Sequence, residues 1–223
     1  DYACQVNTLI GTKGTGLTSG YLYPGATYPY GMVQFTPSYF SKRSGFVINQ
    51  LSGGGCEHMG NFPTFPVKGK LKMSPDNILN YRINISEEKG HAGYYEAMVQ
   101  EDIKAKLTVT ERTGMASYEY PADQQYGTII IGGGISATPI EQAAIVITAP
   151  NKCEGYAEGG NFCGLRTPYK VYFVAEFDTD ALETGTWKRE ELMPNTTFAE
   201  GEYSGVYFTF DVNKKKNIQY KIG

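Results

Sequence analysis

The residues able to do chemistry are few and scattered. Cys56-Glu57-His58 puts a thiol, a carboxylate and an imidazole within three residues, and on an extended strand the alternate pair Cys56 and His58 would face the same way. Cys–His catalysis needs a third, orienting group, which so short a motif does not supply. The other histidine, His91, lies between Lys89-Gly90 and Ala92-Gly93 and reads as an exposed turn residue. Acids that could serve glycoside hydrolysis are Glu57, Glu87, Glu88, Glu101, Asp102 and Glu158, but their spacing nominates no pair, and most of them read as solvent-facing. Gly11–Gly16 lacks the Gly-Lys-Ser/Thr ending of a phosphate loop and a helix signal after it, so Lys13 reads as a solvated loop residue. A Gly-x-Ser-x-Gly nucleophile elbow does not occur.

Four cysteines, Cys4, Cys56, Cys153 and Cys163, form no Cys-x-x-Cys, and with two histidines no metal site is expected. Cys153 and Cys163 flank the glycine-rich stretch 154–162. A long hairpin could close that spacing with a disulfide in an oxidising compartment; the alternative is two buried or free thiols. Tyr21, Tyr23, Tyr28, Tyr30 and Phe40 cluster in the first third, where aromatics either stack on sugars or pack a core. Asn84-Ile85-Ser86 and Asn195-Thr196-Thr197 are sequons, meaningful only in a eukaryotic secreted protein.

The elements that must position these groups read as strands. Ile103, Ala105, Leu107 and Val109 alternate with Lys104, Lys106, Thr108 and Thr110, the period of a half-buried strand. Val171, Phe173, Ala175 and Phe177 repeat the pattern, as do Val206, Phe208, Phe210 and Val212 against Tyr207, Thr209 and Asp211. Thr128–Ile131 and Ile145–Ile147 read as strands covered on both faces. Glu183–Leu192 suggests one or two helical turns, and Ile140–Ala144 is ambiguous. Ser52-Gly53-Gly54-Gly55, Pro75-Asp76-Asn77, Gly132-Gly133-Gly134 and Gly159-Gly160 mark turns. The pattern predicts an all-β, antiparallel β-sandwich with long Gly/Tyr-rich loops, as one domain. The 223 residues carry 27 glycines, 11 prolines and a net charge of −3. With no basic stripe and no apolar run near the ~18 residues of a membrane span, neither nucleic acid nor a bilayer is an expected partner. Asp1-Tyr2-Ala3-Cys4 is not a signal peptide; it fits a mature N-terminus or the start of a piece of a longer chain.

Ordered blocks carry a resemblance. Val6-Asn7-Thr8-Leu9-Ile10-Gly11-Thr12, then Tyr23-Pro24-Gly25-Ala26 and Pro29-Tyr30-Gly31-Met32-Val33-Gln34-Phe35-Thr36-Pro37, resemble the opening of glycoside hydrolase family 92, the exo-acting alpha-mannosidases. Gly45-Phe46 and Gln50-Leu51-Ser52-Gly53-Gly54-Gly55-Cys56 match its next block, Gly93-Tyr94-Tyr95 with Ile103–Met115 another, and Lys221-Ile222-Gly223 its end. Departures fall in the first loop, 13–26, which lacks the family's histidines, and at Gln50, where the family has histidine.

The resemblance implies that 1–223 is the N-terminal, supersandwich-like domain of a longer glycosidase. A C-terminal (α/α)6 barrel, absent from this chain, would hold the catalytic acid and base and a calcium ion. The reaction would be inverting, two carboxylates acting about a water. The expected partners are that catalytic domain and mannose-containing glycans, and the expected location is secreted or periplasmic in a bacterium. By itself the chain should contain no catalytic residue. Tyr23, Pro24, Gly25, Gln50, Leu51, Ser52, Gly53, Gly54 and Gly55 are expected at the edge of the glycan pocket, the glycines allowing close backbone approach. The alternatives are a stand-alone carbohydrate-binding module, or a structural domain of an inactive homologue.

Overall fold

The computed structural model describes residues 2–12, 22–38, 45–51, 59–76, 84–134, 139–160 and 164–223. Among these, apart from a short 3-10 turn at Tyr2–Gln5, all regular elements of any length are strands. In chain order they are β1 (Ala26–Thr27), β2 (Gln34–Pro37), β3 (Phe46–Val47), β4 (Thr64–Lys68), β5 (Ile85–His91), β6 (Tyr94–Val99), β7 (Ile103–Val109), β8 (Gly114–Glu119), β9 (Tyr126–Gly132), β10 (Ile140–Ala149), β11 (Lys152–Gly159), β12 (Tyr169–Phe177), β13 (Glu183–Lys188), β14 (Glu191–Pro194), β15 (Phe198–Glu200), β16 (Ser204–Asp211) and β17 (Asn217–Ile222). They build two antiparallel sheets, ordered β1-β2-β3-β4-β9-β16-β13-β14 and β15-β10-β11-β12-β17-β8-β7-β6-β5. The expected β-sandwich is the fold.

Aromatic rings fill the space between the sheets. Phe177 of the nine-stranded sheet meets Phe208 at 4.7 Å and Phe210 at 5.1 Å on β16 opposite, and Tyr220 at 5.3 Å on its own sheet. Phe46 packs against Tyr95 and Tyr118. At the centre, the Thr64 hydroxyl of β4 meets the Tyr118 hydroxyl of β8 at 3.2 Å, with the Tyr220 hydroxyl of β17 bonded to both. These polar atoms are buried but mutually satisfied, which is the condition for keeping them in a core.

Period-two reading holds for β7 and for the buried row Phe173, Ala175 and Phe177 of β12. Three readings need correction. Glu183–Leu192 is not helical: it is the β13–β14 hairpin, paired from Gly185↔Pro194 to Lys188↔Glu191, where cross-strand pairing overrides weak local periodicity. Val146 lies on a half-exposed face, so Ile145–Ile147 is not covered on both sides. Conversely β16 is buried on both faces, Tyr207 and Thr209 included. The segment after β4 supplies that second cover. Thr128 donates to the Gly69 carbonyl at 2.7 Å and shares a bond with Thr209 at 2.8 Å, Leu71 packs on the core, and Ser74 bonds the Arg189 carbonyl.

The nine-stranded sheet has two distinct ends. One carries the β5–β6 and β7–β8 turns, Ile140, Gly159, Tyr169 and the last residue, Gly223. This is hereafter the loop end. The opposite end carries Asn151, Asp178 and the ion pair Lys68–Asp102 at 3.0 Å, which links β4 to the β6–β7 turn.

Burial pushes the Tyr118, Tyr120 and Tyr220 phenols above their ordinary value near 10, and burial likewise raises the Cys153 thiol above 9. The unfolded chain ionises these groups near their ordinary values while the fold keeps them protonated. The folded state then binds more protons, so stability falls as pH rises. The melting temperature is expected to decline from about pH 9 and more steeply above about pH 10. Calorimetry across that range checks it; a flat melting temperature from about pH 7 to about pH 11 contradicts the assignment.

Candidate functional site

Of the nine residues expected to border a pocket, Ser52, Gly53, Gly54 and Gly55 lie outside the described residues, as do Cys56, Glu57, His58 and Lys13. The structure brings the other five to the region of β1–β3, in different environments. Tyr23, 6% exposed, and Pro24 are buried. Gly25 is close to backbone, but that backbone is β2: a Cβ at residue 25 would lie 2.1 Å from the Phe35 carbonyl oxygen. Its N–H donates to Thr36 Oγ1 at 3.1 Å. The close approach this glycine permits is therefore between strands. Leu51 is 42% exposed.

Gln50 is the outlier. It is 1% exposed, and among the described residues neither Oε1 nor Nε2 has a hydrogen-bond partner. A buried amide usually makes its bonds, because leaving them unmade costs about 1–3 kcal/mol. Beside it in sequence, Asn49 exchanges two bonds with Asn61: Asn49 Nδ2 donates to Asn61 Oδ1 at 3.0 Å, and Asn61 N–H donates to Asn49 Oδ1 at 2.8 Å. Tyr169 at the start of β12 also donates to Asn61 Oδ1, at 3.2 Å, while Asn61 Nδ2 has no partner among the described residues.

The backbone around Asn61 is strained. Met59, Gly60 and Phe62 have φ of 55°, 72° and 54°, a region that large side chains rarely adopt. Phe62 is held there by its ring against Phe173 at 4.2 Å, and two residues on, Thr64 enters the central hydroxyl knot. Strain and unmade polar bonds that coincide in one place mark a functional site more often than a structural one. The chemistry on offer is that of neutral amides and a phenol. Such groups orient hydroxyls and carbonyls; they do not transfer protons at neutral pH.

Sequence reasoning reached Gln50 and Leu51 through the resemblance and missed Asn49, Asn61 and Tyr169. The one local signal was the run Met59-Gly60-Asn61-Phe62-Pro63, a turn composition. The candidate acids do not converge. Asp102 pairs with Lys68, Glu158 with Lys170, and Glu87 and Glu101 are exposed. His91 is exposed and stacks on Tyr94 at 4.9 Å. Tyr94 donates to Glu96 at 2.7 Å, which with Lys104 and Lys89 holds the Glu96 carboxyl below its ordinary value; desolvation and that bond push the Tyr94 phenol to about 12. That cluster lies on the sheet face and is a solvated ion network. Cys153 is a buried thiol near the start of β11, and Cys163, its expected partner, lies outside the described residues. Among the described residues no three His, Cys, Asp or Glu side chains gather to hold a metal, and no helix is long and apolar enough to cross a membrane.

Two antiparallel sheets with strained, amide-rich connections at one end define the class of the described residues, a β-sandwich domain. The chain belongs to the glycosyl hydrolase family 92 N-terminal domain family, whose sequence model matches residues 5–223. A family 92 alpha-mannosidase of Bacteroides thetaiotaomicron has the same fold, at a TM-score of 0.82 and 24% identity over 99% of this chain and 33% of that one. An inverting family 92 mannosidase of the same organism superimposes at 0.77 with 21% identity, over 100% of this chain and 31% of that one. An uncharacterized secreted glycosidase of Arthroderma benhamiae is 31% identical over 141 residues, 54% of this chain and 18% of its own length. The chain thus spans a third or less of these relatives.

Replacing Gln50 by methionine keeps the length of the side chain and removes both unpartnered polar atoms. Gln50→Met is expected to stabilise this chain by about 1 kcal/mol, a rise of about 2–4 °C in melting temperature at this size. A fall instead would mean that the amide is satisfied in solution.

Proposed function

We propose that this chain is the N-terminal, non-catalytic domain of an exported, exo-acting alpha-mannosidase of family 92, and that its loop end borders the glycan pocket. In this reading the catalytic acid and base, and a calcium ion, belong to a helical domain that follows residue 223. Among the described residues no group of His, Cys, Asp or Glu side chains gathers to hold that ion. Gln50 and Leu51 border the sugar, and Gly25 lets β1 close on β2. The family match over residues 5–223 carries the reading. The two unpartnered Gln50 atoms support its placement: both are covered in this chain alone, so in this reading the surface over them opens in the longer enzyme and sugar hydroxyls complete the bonds that the protein leaves open.

Two measurements test it. The 223-residue chain alone should not hydrolyse an aryl alpha-mannoside or an alpha-linked mannobiose, with or without calcium. In the longer enzyme, Gln50→Met should lower kcat/KM at least tenfold, which corresponds to about 1.4 kcal/mol of lost transition-state binding, while the melting temperature holds or rises. Turnover by the isolated chain, or unchanged kcat/KM in the variant, would contradict the proposal.

A further inference from the structure

Among the exposed aromatics of the described residues, Tyr30 is displayed most fully. Tyr30 is 104% exposed, with Tyr28 at 51% and Met32 at 73% beside it. The three belong to a tight turn closed by Gly31 N–H donating to the Tyr28 carbonyl at 2.9 Å, with Pro29 and Tyr30 as its central residues. Tyr30 has φ of 60°, at a turn position that glycine or asparagine normally takes. Nothing in a fully exposed ring offsets that strain within this chain. Strained residues persist when surrounding structure over-determines them, and here it does. Met32 N–H donates to the Glu111 carbonyl at 2.7 Å, and a Cβ on Gly31 would lie 3.2 Å from the same oxygen. The β7–β8 turn thus holds the Tyr30 turn rigidly outward.

The same β7–β8 turn holds the end of the chain. Its closing bond runs from Thr110 N–H to the Thr113 carbonyl at 2.8 Å, and a Cβ on Gly223 would lie 2.9 Å from the Arg112 carbonyl oxygen. Whatever follows residue 223 starts within reach of Tyr28, Tyr30 and Met32. Exposed Glu111 and Arg112 edge the group. Aromatic and methionine side chains inside a charged rim have the composition of an interface centre.

We propose that Tyr30, flanked by Tyr28 and Met32, is the anchor by which this domain docks on the helical domain that follows it, its ring seated in an apolar pocket there. This rests on the reading that such a domain follows. Preorganisation explains the strained backbone: a rigid, already extended ring loses little freedom on docking.

The test is Tyr30→Gly, which suits the backbone and removes the ring, with Tyr30→Phe as the conservative control. In the 223-residue chain Tyr30→Gly should raise the melting temperature, because strain is relieved. In the longer enzyme it should act oppositely: the two domains should unfold in separate calorimetric transitions, and protease cleavage near residue 223 should quicken at least tenfold. Tyr30→Phe should retain wild-type coupling. Unchanged coupling and cleavage in the longer Tyr30→Gly enzyme overturn the proposal. A raised KM for mannoside with coupling intact also overturns it, by assigning the ring to substrate. These readouts need no turnover, so a wild-type enzyme inactive on mannosides would sink the functional reading while leaving the docking test decisive.

Discussion

The sandwich turns on one buried polar contact. Thr64, Tyr118 and Tyr220 come from three strands, two in one sheet and one in the other, and their hydroxyls satisfy each other where water cannot reach. Apolar packing alone, through Phe177, Phe208 and Phe210, would hold the sheets together but tolerate small sliding. Directional bonds in a low-dielectric core do not. They fix β4 against β8 and β17, and Thr64 also accepts the register of β3 by donating to the Phe46 carbonyl at 3.2 Å. The segments on either side of β3 and β4 therefore leave the core from a defined position.

That position is what permits the strained stretch before β4. Met59 and Phe62 adopt positive φ within a few residues of the knot, and Asn61 between them is gripped by Asn49 and Tyr169. The framework is stable enough to carry such costs, which are of order 1–3 kcal/mol per residue. Positive φ also occurs elsewhere, at Gln100 and Glu101 of the β6–β7 turn among others. Around the β6–β7 turn at the other end, polar atoms find partners, as in Lys68–Asp102 and Asp178 with Lys215 at 2.8 Å. Exposed ion pairs of this kind stabilise little. Unmade bonds at Gln50 and Asn61, and the strained ring at Tyr30, all belong to the region of β1–β4.

The fold was legible in the sequence where burial has one side. Ile103–Val109 alternates because one face of β7 meets the core and the other meets solvent. The reading failed where tertiary structure supplies a second cover or a partner strand. Thr209 is polar yet buried, because residues 69–76 fold over it; Glu183–Leu192 pairs as a hairpin although its periodicity is weak. For the site, the matched blocks led to Gln50 and Leu51, and composition could not. Asn61 carried no signal of its own, since its role depends on Tyr169, 108 residues away, and on a backbone conformation that no residue type announces. Tyr23 and Tyr30 show the limit most clearly: two tyrosines in one glycine- and proline-rich stretch, one buried and the other fully displayed.

The difference between those two tyrosines follows from what each loop is tied to. Tyr23 precedes β1, and β1 is drawn onto β2 as tightly as Gly25 allows, so its side chain has only the interior to occupy. Tyr30 follows β1 in a turn whose geometry is set from outside, by the Glu111 carbonyl of the opposite sheet. With both ends of that turn held, the side chain at its tip has no route back to the core. A sheet edge bonded to the neighbouring sheet through a single carbonyl thus converts an aromatic that hydrophobicity would bury into one the fold presents. The same constraint places the chain end beside it, so the presented ring and the departing backbone share one rigid support.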